Sequence, residues 1–410
     1  FTIKHIMHRV LLLIICLLLN CTAKEAKQNE NNLILISFDG FRADYLSKTE
    51  TPNFDILANQ GVSTEGLIPV FPSKTFPNHY AIVTGLYSEN NGLIGNSMYD
   101  PDMGLMYSMG NREQVENPDW YKGEPIWNTV EKHGKKAGTM FWVGSEAPVQ
   151  GMRPSYWKNY DGRMSDSTRI DTVLKWMTLP SEKSIDLGTL YFSFVDSQGH
   201  RFGPDSPEVV EAIQQADELV GYLIEQLKAK ELWETTNIII VSDHGMSDVS
   251  RERMVILDDY LNVDDIDIIS GSPAVMMNAK NGKLNEIYSS LKANEDHFKV
   301  YKKEGIPERY HLKKSGRMPE LLLVADRGYT INTKAYFENR PTAPNGGAHG
   351  FDNEDKEMWA LFLAKGPAFK KGIKIEAFEN IHLYALMAKI MNLEPANNDG
   401  NLDKISSILN

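Results

Sequence analysis

Four short apolar segments, each ending at a polar or glycine residue, constrain the fold of this 410-residue chain more than any other feature. These segments are Leu33–Phe38, Gly138–Val143, Thr189–Val195 and Asn237–Val241. Continuous apolar runs of this length are typical of strands that are buried on both faces of a parallel sheet. Because helical patterns separate the runs, the sequence predicts a doubly wound α/β sheet whose ligands bind at the carboxyl ends of its strands.

The helical segments between these runs have the residues that commonly begin or end a helix, with Pro near the start or Gly just after the end. They are Pro52–Gln60, Ile126–His133 and Pro207–Lys230. We therefore predict one α/β domain over residues 33–410. The less regular residues 251–345 are predicted to form an inserted, cap-like subdomain within it.

Residues 1–21 have the pattern of an export segment. Lys4 and Arg9 flank the apolar run Val10–Leu19, which is too short for a bilayer span of about 20 residues and is typical of a secretory signal. Cys21 follows, and the stretch resembles a bacterial lipoprotein signal in which that cysteine is lipidated. The sequence thus predicts a periplasmic or outer-membrane lipoprotein with a polar linker at residues 22–32. An ordinary cleaved signal or a retained anchor is the alternative.

Composition excludes some partners. The chain has 43 Lys+Arg against 55 Asp+Glu, a formal charge of −12, which argues against a protein that binds duplex nucleic acid through clustered cations. Cys16 and Cys21 are its two cysteines, so a disulfide framework is excluded. No protein partner can be inferred, and a small-molecule substrate is expected.

Acidic and histidine side chains follow the predicted strands, and one more histidine lies far downstream. They are Asp39, Asp196, His200, Asp243, His244 and His349. Each alone has an ordinary explanation, such as a helix cap, a surface turn or a shared helix face. Together they form a mixed oxygen and nitrogen set that suits Zn²⁺ and, less exclusively, Mn²⁺ or Fe. Two such ions can bind the attacking and leaving oxygens of a displacement at phosphorus.

Thr75 is the candidate nucleophile. It lies between Phe71-Pro72 and Phe76-Pro77, just before an apolar helical stretch. A hydroxyl at such a position can attack phosphorus when a metal activates it, with the helix amides favouring the phosphoryl oxygens. A helix N-cap is the other interpretation of the same threonine.

Five motifs, in this order, resemble those of the nucleotide pyrophosphatase/phosphodiesterase family of the alkaline phosphatase superfamily. They are FPSKTFPNHY, GLYSENNGLIGNSMYD, VDSQGH, SDHGM and GAHGFDN. The resemblance extends over most of residues 33–369. It implies an alkaline-phosphatase-like α/β sandwich with a mostly parallel central sheet and helices on both faces.

The resemblance also implies the parts of the site. One zinc is expected on Asp196, His200 and His349, and a second on Asp39, Asp243, His244 and the Thr75 hydroxyl. Thr75 is expected to form a phosphothreonine intermediate, and Asn96 to hydrogen-bond a phosphoryl oxygen. Phe76 corresponds to an aromatic residue that stacks on a nucleobase, with Trp157, or its neighbour Tyr156, on the other side of the base.

The implied function is hydrolysis of nucleotide phosphodiester or phosphoanhydride bonds with release of a nucleoside 5′-monophosphate. Three alternatives share the same metal core: a choline-type phosphodiesterase, a phosphomonoesterase and a phosphonate hydrolase. A more remote alternative is a surface lipoprotein that binds a ligand without catalysis.

Overall fold

The structure is a computed structural model and describes residues 31–410. The predicted export segment, Cys21 and most of the predicted linker lie outside the described residues. Twenty strands are assigned in the described part: β1 (Asn32–Phe38), β2 (Val62–Thr64), β3 (Leu67–Ile68), β4 (Ser97–Asp100), β5 (Leu105–Ser108), β6 (Ala137–Met140), β7 (Tyr156–Lys158), β8 (Leu187–Phe192), β9 (Thr236–Val241), β10 (Ser247–Val249), β11 (Met254–Ile256), β12 (Ile266–Ser270), β13 (Ala274–Ala279), β14 (Phe298–Lys302), β15 (Leu321–Ala325), β16 (Thr330–Asn332), β17 (Gly346–Ala348), β18 (Phe362–Lys365), β19 (Ile373–Ile375) and β20 (Phe378–Glu379).

The α-helices of the same part connect and cover these strands. They are Pro52–Asn59, Thr75–Thr84, Ser88–Asn91, Arg112–Val115, Ile126–Lys132, Asp166–Met177, Phe194–Phe202, Pro207–Ala229, Leu284–Ala293, Lys334–Glu338 and His382–Ile390. Within residues 31–410, no helix combines the length and apolar character needed to cross a membrane.

The central sheet has eight strands in the order β19-β2-β18-β9-β1-β8-β6-β7. All pairings are parallel except the two made by β18, which runs antiparallel to β9 and β2. The four strands that the apolar runs predicted are adjacent to one another at the centre. The expectation of a mostly parallel α/β sheet is therefore confirmed.

Side chains alternate between two apolar cores on opposite faces of this sheet. Leu33 and Leu35 of β1 belong to one core, together with the helices Thr75–Thr84, Ile126–Lys132 and His382–Ile390. Ile34 and Ile36 belong to the other, with the helices Pro52–Asn59, Asp166–Met177 and Pro207–Ala229. Because successive residues of a strand point to opposite faces, both faces are apolar and both are covered by helices, as predicted.

Two strand ends differ from the predictions. The predicted strand Thr189–Val195 stops at Phe192, because Ser193 leaves the extended conformation and a helix begins at Phe194. The predicted strand Gly138–Val143 stops at Met140, because Phe141 has φ = 66°. The first difference places Asp196 in the first turn of a helix rather than directly after a strand.

A second sheet lies within the region predicted as an insertion. Its antiparallel order is β12-β13-β15-β14, and it packs with the Leu284–Ala293 helix around an apolar core of its own. This region also contacts the segment that leads into the Thr75–Thr84 helix. The Lys74 ammonium, for example, donates to the Ser272 carbonyl oxygen at 2.8 Å.

Candidate active site

Asp39, Asp243 and His244 come together because their strands are neighbours. In the parallel register of β1 and β9, Ser37 lies opposite Val241. Asp39 and Asp243 each come two positions later, so they meet at the same edge of the sheet. His244 Nε2 lies 3.4 Å from Asp39 Oδ1 and 3.0 Å from Asp243 Oδ2. All three side chains are buried. We call these three residues the buried half of the site.

Asp196, His200 and His349 form a second group beside the first. Asp196 and His200 are four residues apart on the Phe194–Phe202 helix, so they share one helix face, and His200 Nε2 lies 3.4 Å from Asp196 Oδ1. His349 directly follows β17, and its Nε2 lies 3.8 Å from the same Asp196 oxygen. The ring of His349 stacks on that of His244 with centroids 3.5 Å apart, which joins the two groups. We call the second group the open half.

The three histidines have the tautomer that leaves Nε2 free for a metal. Nδ1 of His200 lies 2.9 Å from the Gly347 carbonyl oxygen, that of His244 lies 2.8 Å from Gly245, and that of His349 lies 2.8 Å from Ser73. A carbonyl oxygen only accepts, so Nδ1 carries a proton, and the neutral ring presents a lone pair at Nε2. The Nε2 atoms of His200 and His349 are 3.1 Å apart, a distance at which two lone pairs repel unless a cation lies between them.

The carboxylates also require positive charge. Asp39 Oδ1, Asp196 Oδ1 and Asp243 Oδ2 are buried and have no hydrogen-bond partner among the described residues. Burial, and then the neighbouring carboxylates, raises the pKa of Asp39 well above its usual range, and burial raises the pKa of Asp196 to about 7. Such carboxylates are ionised together only when a cation compensates them.

The donor set fits divalent metal ions. Three groups of side chains each offer one atom per residue within 4.8 Å of one another: Asp196, His200 and His349; Asp39, Asp196 and His244; and Asp39, His79 and Asp243. Carboxylate oxygen and imidazole nitrogen together suit Zn²⁺. The six side chains that the sequence predicted as ligands therefore lie in one cluster that could hold metal.

Thr75 begins a helix without capping it. The N-cap position is Lys74, and no side chain there makes a capping hydrogen bond. The Thr75 hydroxyl instead lies 3.3 Å from His244 Nε2, next to the buried half. Burial lowers the pKa of Lys74 to about 8.

Asn96 lies just before β4 and faces the start of the same helix. Its Oδ1 accepts a hydrogen bond from the Phe76 amide at 2.9 Å. Because the amide oxygen is engaged there, Nδ2 on the opposite side of the group remains as a donor. The structure thus brings Thr75 and Asn96 together at the beginning of one helix.

The three predicted aromatic residues lie on two faces of the sheet. Trp157 of β7 pairs with Thr139 of β6, and the pairing continues through β8 to Leu35 of β1, so Trp157 and Leu35 share one face of the sheet. Phe76 packs against the apolar core on that face. The Arg153 guanidinium covers one face of the Trp157 ring at 4.8 Å. Tyr156 points to the other face, where its ring stacks on Trp176.

Two residues near the metal cluster were missed or left without a chemical role. Tyr191 donates from its hydroxyl to Asp39 Oδ2 at 2.6 Å; it lies opposite Ser37 in β8, which only the strand register reveals. His79 lies four residues after Thr75, and its Nδ1 lies 3.3 Å from Asp243 Oδ2. Its position in the motif FPSKTFPNHY, four residues after the candidate nucleophile, is the sequence signal that could have indicated a role near the site.

Comparison with known proteins agrees with this geometry. Residues 33–352 match the model of the type I phosphodiesterase/nucleotide pyrophosphatase family. The chain is 36% identical over 389 residues to human ectonucleotide pyrophosphatase/phosphodiesterase family member 5, covering 95% of this chain and 80% of that protein. It is 40% identical to human family member 1 and 37% identical to a venom phosphodiesterase of Crotalus durissus collilineatus, covering 92% and 93% of this chain but 41% and 46% of theirs.

Solved structures show the same similarity in three dimensions. Murine ectonucleotide pyrophosphatase/phosphodiesterase 5 superposes with a TM-score of 0.88 at 36% identity, covering 92% of this chain and 100% of that one. A structure of the murine protein as an inactive threonine-to-alanine variant in complex with AMP gives the same values.

Fold and site together define an α/β hydrolase of the alkaline phosphatase type that acts on phosphodiester bonds. Within that class, the chain belongs to the type I phosphodiesterase/nucleotide pyrophosphatase family. Its relatives support phosphodiesterase or pyrophosphatase activity on nucleotides.

Proposed function

We propose that this protein is a two-zinc enzyme that cleaves nucleotide phosphodiester or phosphoanhydride bonds and releases a nucleoside 5′-monophosphate. The observation that carries the proposal is the convergence of three imidazole lone pairs and three unpartnered carboxylate oxygens beside the Thr75 hydroxyl. One ion would be held by Asp196, His200 and His349. The other would be held by Asp39, Asp243, His244 and the Thr75 oxygen.

When bound, the two ions would supply Lewis-acid stabilisation of the oxygens that enter and leave phosphorus. The chain supplies the rest. Thr75 Oγ1 loses its proton to solvent and forms a bond to phosphorus as the bond to the leaving oxygen breaks, which gives a phosphothreonine. The leaving oxygen takes a proton from solvent. Water then cleaves the Oγ1–P bond and returns the threonine. The Asn96 amide donates to a phosphoryl oxygen as negative charge develops there.

Substrate selection is proposed to lie with Phe76 and Trp157. Both are on the sheet face that carries the Thr75–Thr84 helix, and both are partly exposed. Aromatic faces accept every nucleobase by stacking. Tyr156 was the alternative partner of Phe76, and its hydroxyl donates to the Lys183 carbonyl oxygen at 3.0 Å on the other face, which favours Trp157. The AMP held by the murine relative supports a nucleotide substrate.

We also propose that the protein is exported. The human relatives are ectonucleotide enzymes by name and others are venom enzymes, and these names are consistent with export. Lipidation at Cys21 and a bacterial periplasmic or outer-membrane location are the finer parts of this proposal. They depend on the sequence pattern of residues 1–21.

Replacement of Thr75 tests the proposal. Thr75→Ala should retain about two zinc ions per chain and lose turnover of a nitrophenyl ester of a nucleoside monophosphate by roughly 10⁴-fold or more, as removal of a catalytic nucleophile does. Thr75→Ser, which keeps a hydroxyl, is the matched control and should retain part of the activity. Substantial turnover by Thr75→Ala would contradict the nucleophile.

Substrate comparison separates the proposal from its alternatives. Wild-type protein should hydrolyse the nucleotide ester faster than nitrophenyl phosphate, nitrophenyl phosphorylcholine and a nitrophenyl phosphonate ester. Faster turnover of the phosphorylcholine ester would identify a choline-type enzyme instead. Absence of turnover with any of them, in zinc-loaded protein, would favour a non-catalytic binding protein.

A further inference from the structure

His79 is a buried polar side chain at the junction of the nucleophile and a metal ligand. Its ring is inaccessible to solvent. Nδ1 lies 3.0 Å from the Thr75 carbonyl oxygen and 3.3 Å from Asp243 Oδ2. On the other side of the ring, Nε2 lies 2.8 Å from the Ser37 hydroxyl oxygen. One imidazole therefore links the nucleophile helix, the carboxyl end of β9 and β1.

The neighbours of this ring determine its proton position. The Thr75 carbonyl and the Asp243 carboxylate only accept hydrogen bonds, so a lone pair on Nδ1 would be repelled by both. Nδ1 therefore carries a proton, which it donates to the Thr75 carbonyl oxygen, and Asp243 Oδ2 lies beside it at an ion-pair distance of 3.3 Å. Nε2 then accepts from Ser37, whose hydroxyl can donate or accept. The acceptors beside Nδ1 thus fix the tautomer, and the Ser37 hydroxyl adapts to it at Nε2.

The ring plane is also held. Trp142 and Tyr191 contact the imidazole edge to face, each with ring centroids 5.2 Å apart. The Trp142 indole nitrogen also donates to the His79 carbonyl oxygen at 3.0 Å. Rotation of the imidazole away from Asp243 would break these contacts, so its donor is aimed in one direction.

We propose that His79 is a positioning residue that holds Asp243 and the first turn of the Thr75 helix in one geometry, with Ser37 as the partner of its other ring nitrogen. The inference rests on the proposed function, since Asp243 acts there as a metal ligand. Partners of metal-binding carboxylates and imidazoles are worth about 10–100-fold in metal affinity or activity. Helix packing alone would not require a donor at Nδ1.

Two substitutions separate positioning from packing. In His79→Asn, the side-chain amide nitrogen can occupy the place of Nδ1 and keep the donor toward Asp243 and Thr75. In His79→Gln, the terminal amide reaches the place of Nε2 instead, next to Ser37, and leaves no donor at Nδ1. Glutamine fills more of the histidine volume than asparagine does, so packing alone would favour His79→Gln.

The test compares zinc dissociation constants, from competition with a chelator, and the unfolding midpoint of the metal-free proteins. We expect His79→Gln to bind the zinc ion of the buried half, which Asp243 would hold, about 10–100-fold less tightly than wild type and to lose kcat with little change in KM. His79→Asn should stay within about tenfold of wild type in zinc affinity, even if its midpoint is lower. Ser37→Ala should weaken zinc binding less than His79→Gln does.

The outcomes distinguish this inference from the function on which it rests. Wild-type protein that binds no zinc, or that keeps full activity after Thr75→Ala, would refute the proposed function. If wild type binds zinc and turns over nucleotide, but His79→Gln matches it or exceeds His79→Asn in zinc affinity, the positioning role is refuted. The midpoints of the metal-free variants show whether any of them is simply unfolded.

Discussion

The two halves of the metal cluster differ in depth and in the elements that hold them. In the buried half, the side chains of Asp39, Asp243 and His244 are at most 2% exposed. In the open half, the side chain of His349 is 6% exposed, that of Asp196 is 18% exposed and that of His200 is 44% exposed. Both halves carry carboxylate and imidazole donors, so ligand chemistry does not explain the difference.

The supporting structure explains it. The buried half is formed at the ends of two central strands, and its residues receive hydrogen bonds from the core, including the Gly40 amide to Asp243 Oδ1 at 3.2 Å. The open half is formed by one helix turn and the segment after β17, with solvent on one side. The nucleophile lies against the buried half. If Thr75 is the nucleophile, as proposed, the open half would face the side from which water enters and a leaving group departs.

The comparison of the two halves predicts its largest effect, a loss of turnover, for a matched pair of substitutions with one in each half. Asp243→Asn should lower turnover by about 10³-fold or more, because it removes a charge from an enclosed site that stabilises the transition state. Excess zinc should not restore the activity. The measurement is kcat/KM against added zinc for the nucleotide ester.

Asp196→Asn makes the same chemical change in the open half and serves as the matched variant. It should also lower turnover, but added zinc should restore part of the activity, since solvent and neighbouring ligands can complete the site. Equal losses with equal restoration in the two variants would show that depth does not distinguish the halves.

Metal removal should come next in size. A chelator should withdraw zinc in two phases, with the open-half ion leaving about 10-fold faster or more, a difference of the order that surrounding residues produce. His200→Gln should abolish the fast phase and leave the slow one. The readout is zinc release followed by a colorimetric indicator. A single phase that accounts for both ions, in wild type and in the variant, would contradict the comparison.

Loss of the Tyr191 hydroxyl should have a smaller effect, confined to the buried half. Tyr191→Phe removes the donor to Asp39 and should weaken the slowly released zinc by about 10-fold. The matched control is Tyr222→Phe, which removes a 2.7 Å bond to the surface residue Asp171. If both variants release zinc like wild type, the Tyr191 hydroxyl has no role in positioning Asp39.

The smallest expected effect on the metal site comes from substitution of Arg317. This buried guanidinium bonds Asp100 and the carbonyl oxygens of Gly92, Asp119 and Trp120. Arg317→Met leaves these acceptors without their donor and should cost about 3–5 kcal/mol of stability. The zinc release phases should remain those of wild type. Denaturant unfolding measures the loss of stability, and zinc release measures whether the metal site is unchanged.

The same variant predicts a change in pH dependence. Although burial opposes ionisation, the Arg317 hydrogen bond holds the pKa of Asp100 below its ordinary value. This contribution to stability is present above the unfolded pKa, near ~3.9, and is lost as pH falls through the lower folded value. Arg317→Met should therefore lose less stability than wild type on acidification. Arg163→Met, which breaks an exposed pair with Asp161, should leave the acid unfolding profile nearly unchanged.

Much of the fold and of the site followed from local sequence. The apolar runs located all four central strands, and their ends located Asp39 and Asp243, because burial on both faces requires continuous apolar residues. The strand before Asp196 was predicted to end at Val195, three residues later than it does. Phe194 and Val195 are apolar residues that suit a helix as well as a strand. Apolar character alone does not separate the two structures over so short a segment.

Other features depended on contacts between distant parts of the chain. His200 and His349 are 149 positions apart and meet through Nε2, and the separation of Trp157 from Tyr156 came from the register of β7 against β6. The role of Tyr191 beside Asp39 has no local sequence signal. It exists because β8 is hydrogen-bonded to β1.

The sequence by itself determined which side chains are the candidates for the chemistry, since the capacity to bind a metal or to act as a hydroxyl nucleophile is a property of the side chain and its motif. The tertiary structure decided the environment of each group. It made one half of the cluster buried and the other open, set the histidine tautomers through backbone carbonyls, and placed His79 between Asp243 and Thr75. These properties depend on strand register and packing, which join residues that no local pattern relates.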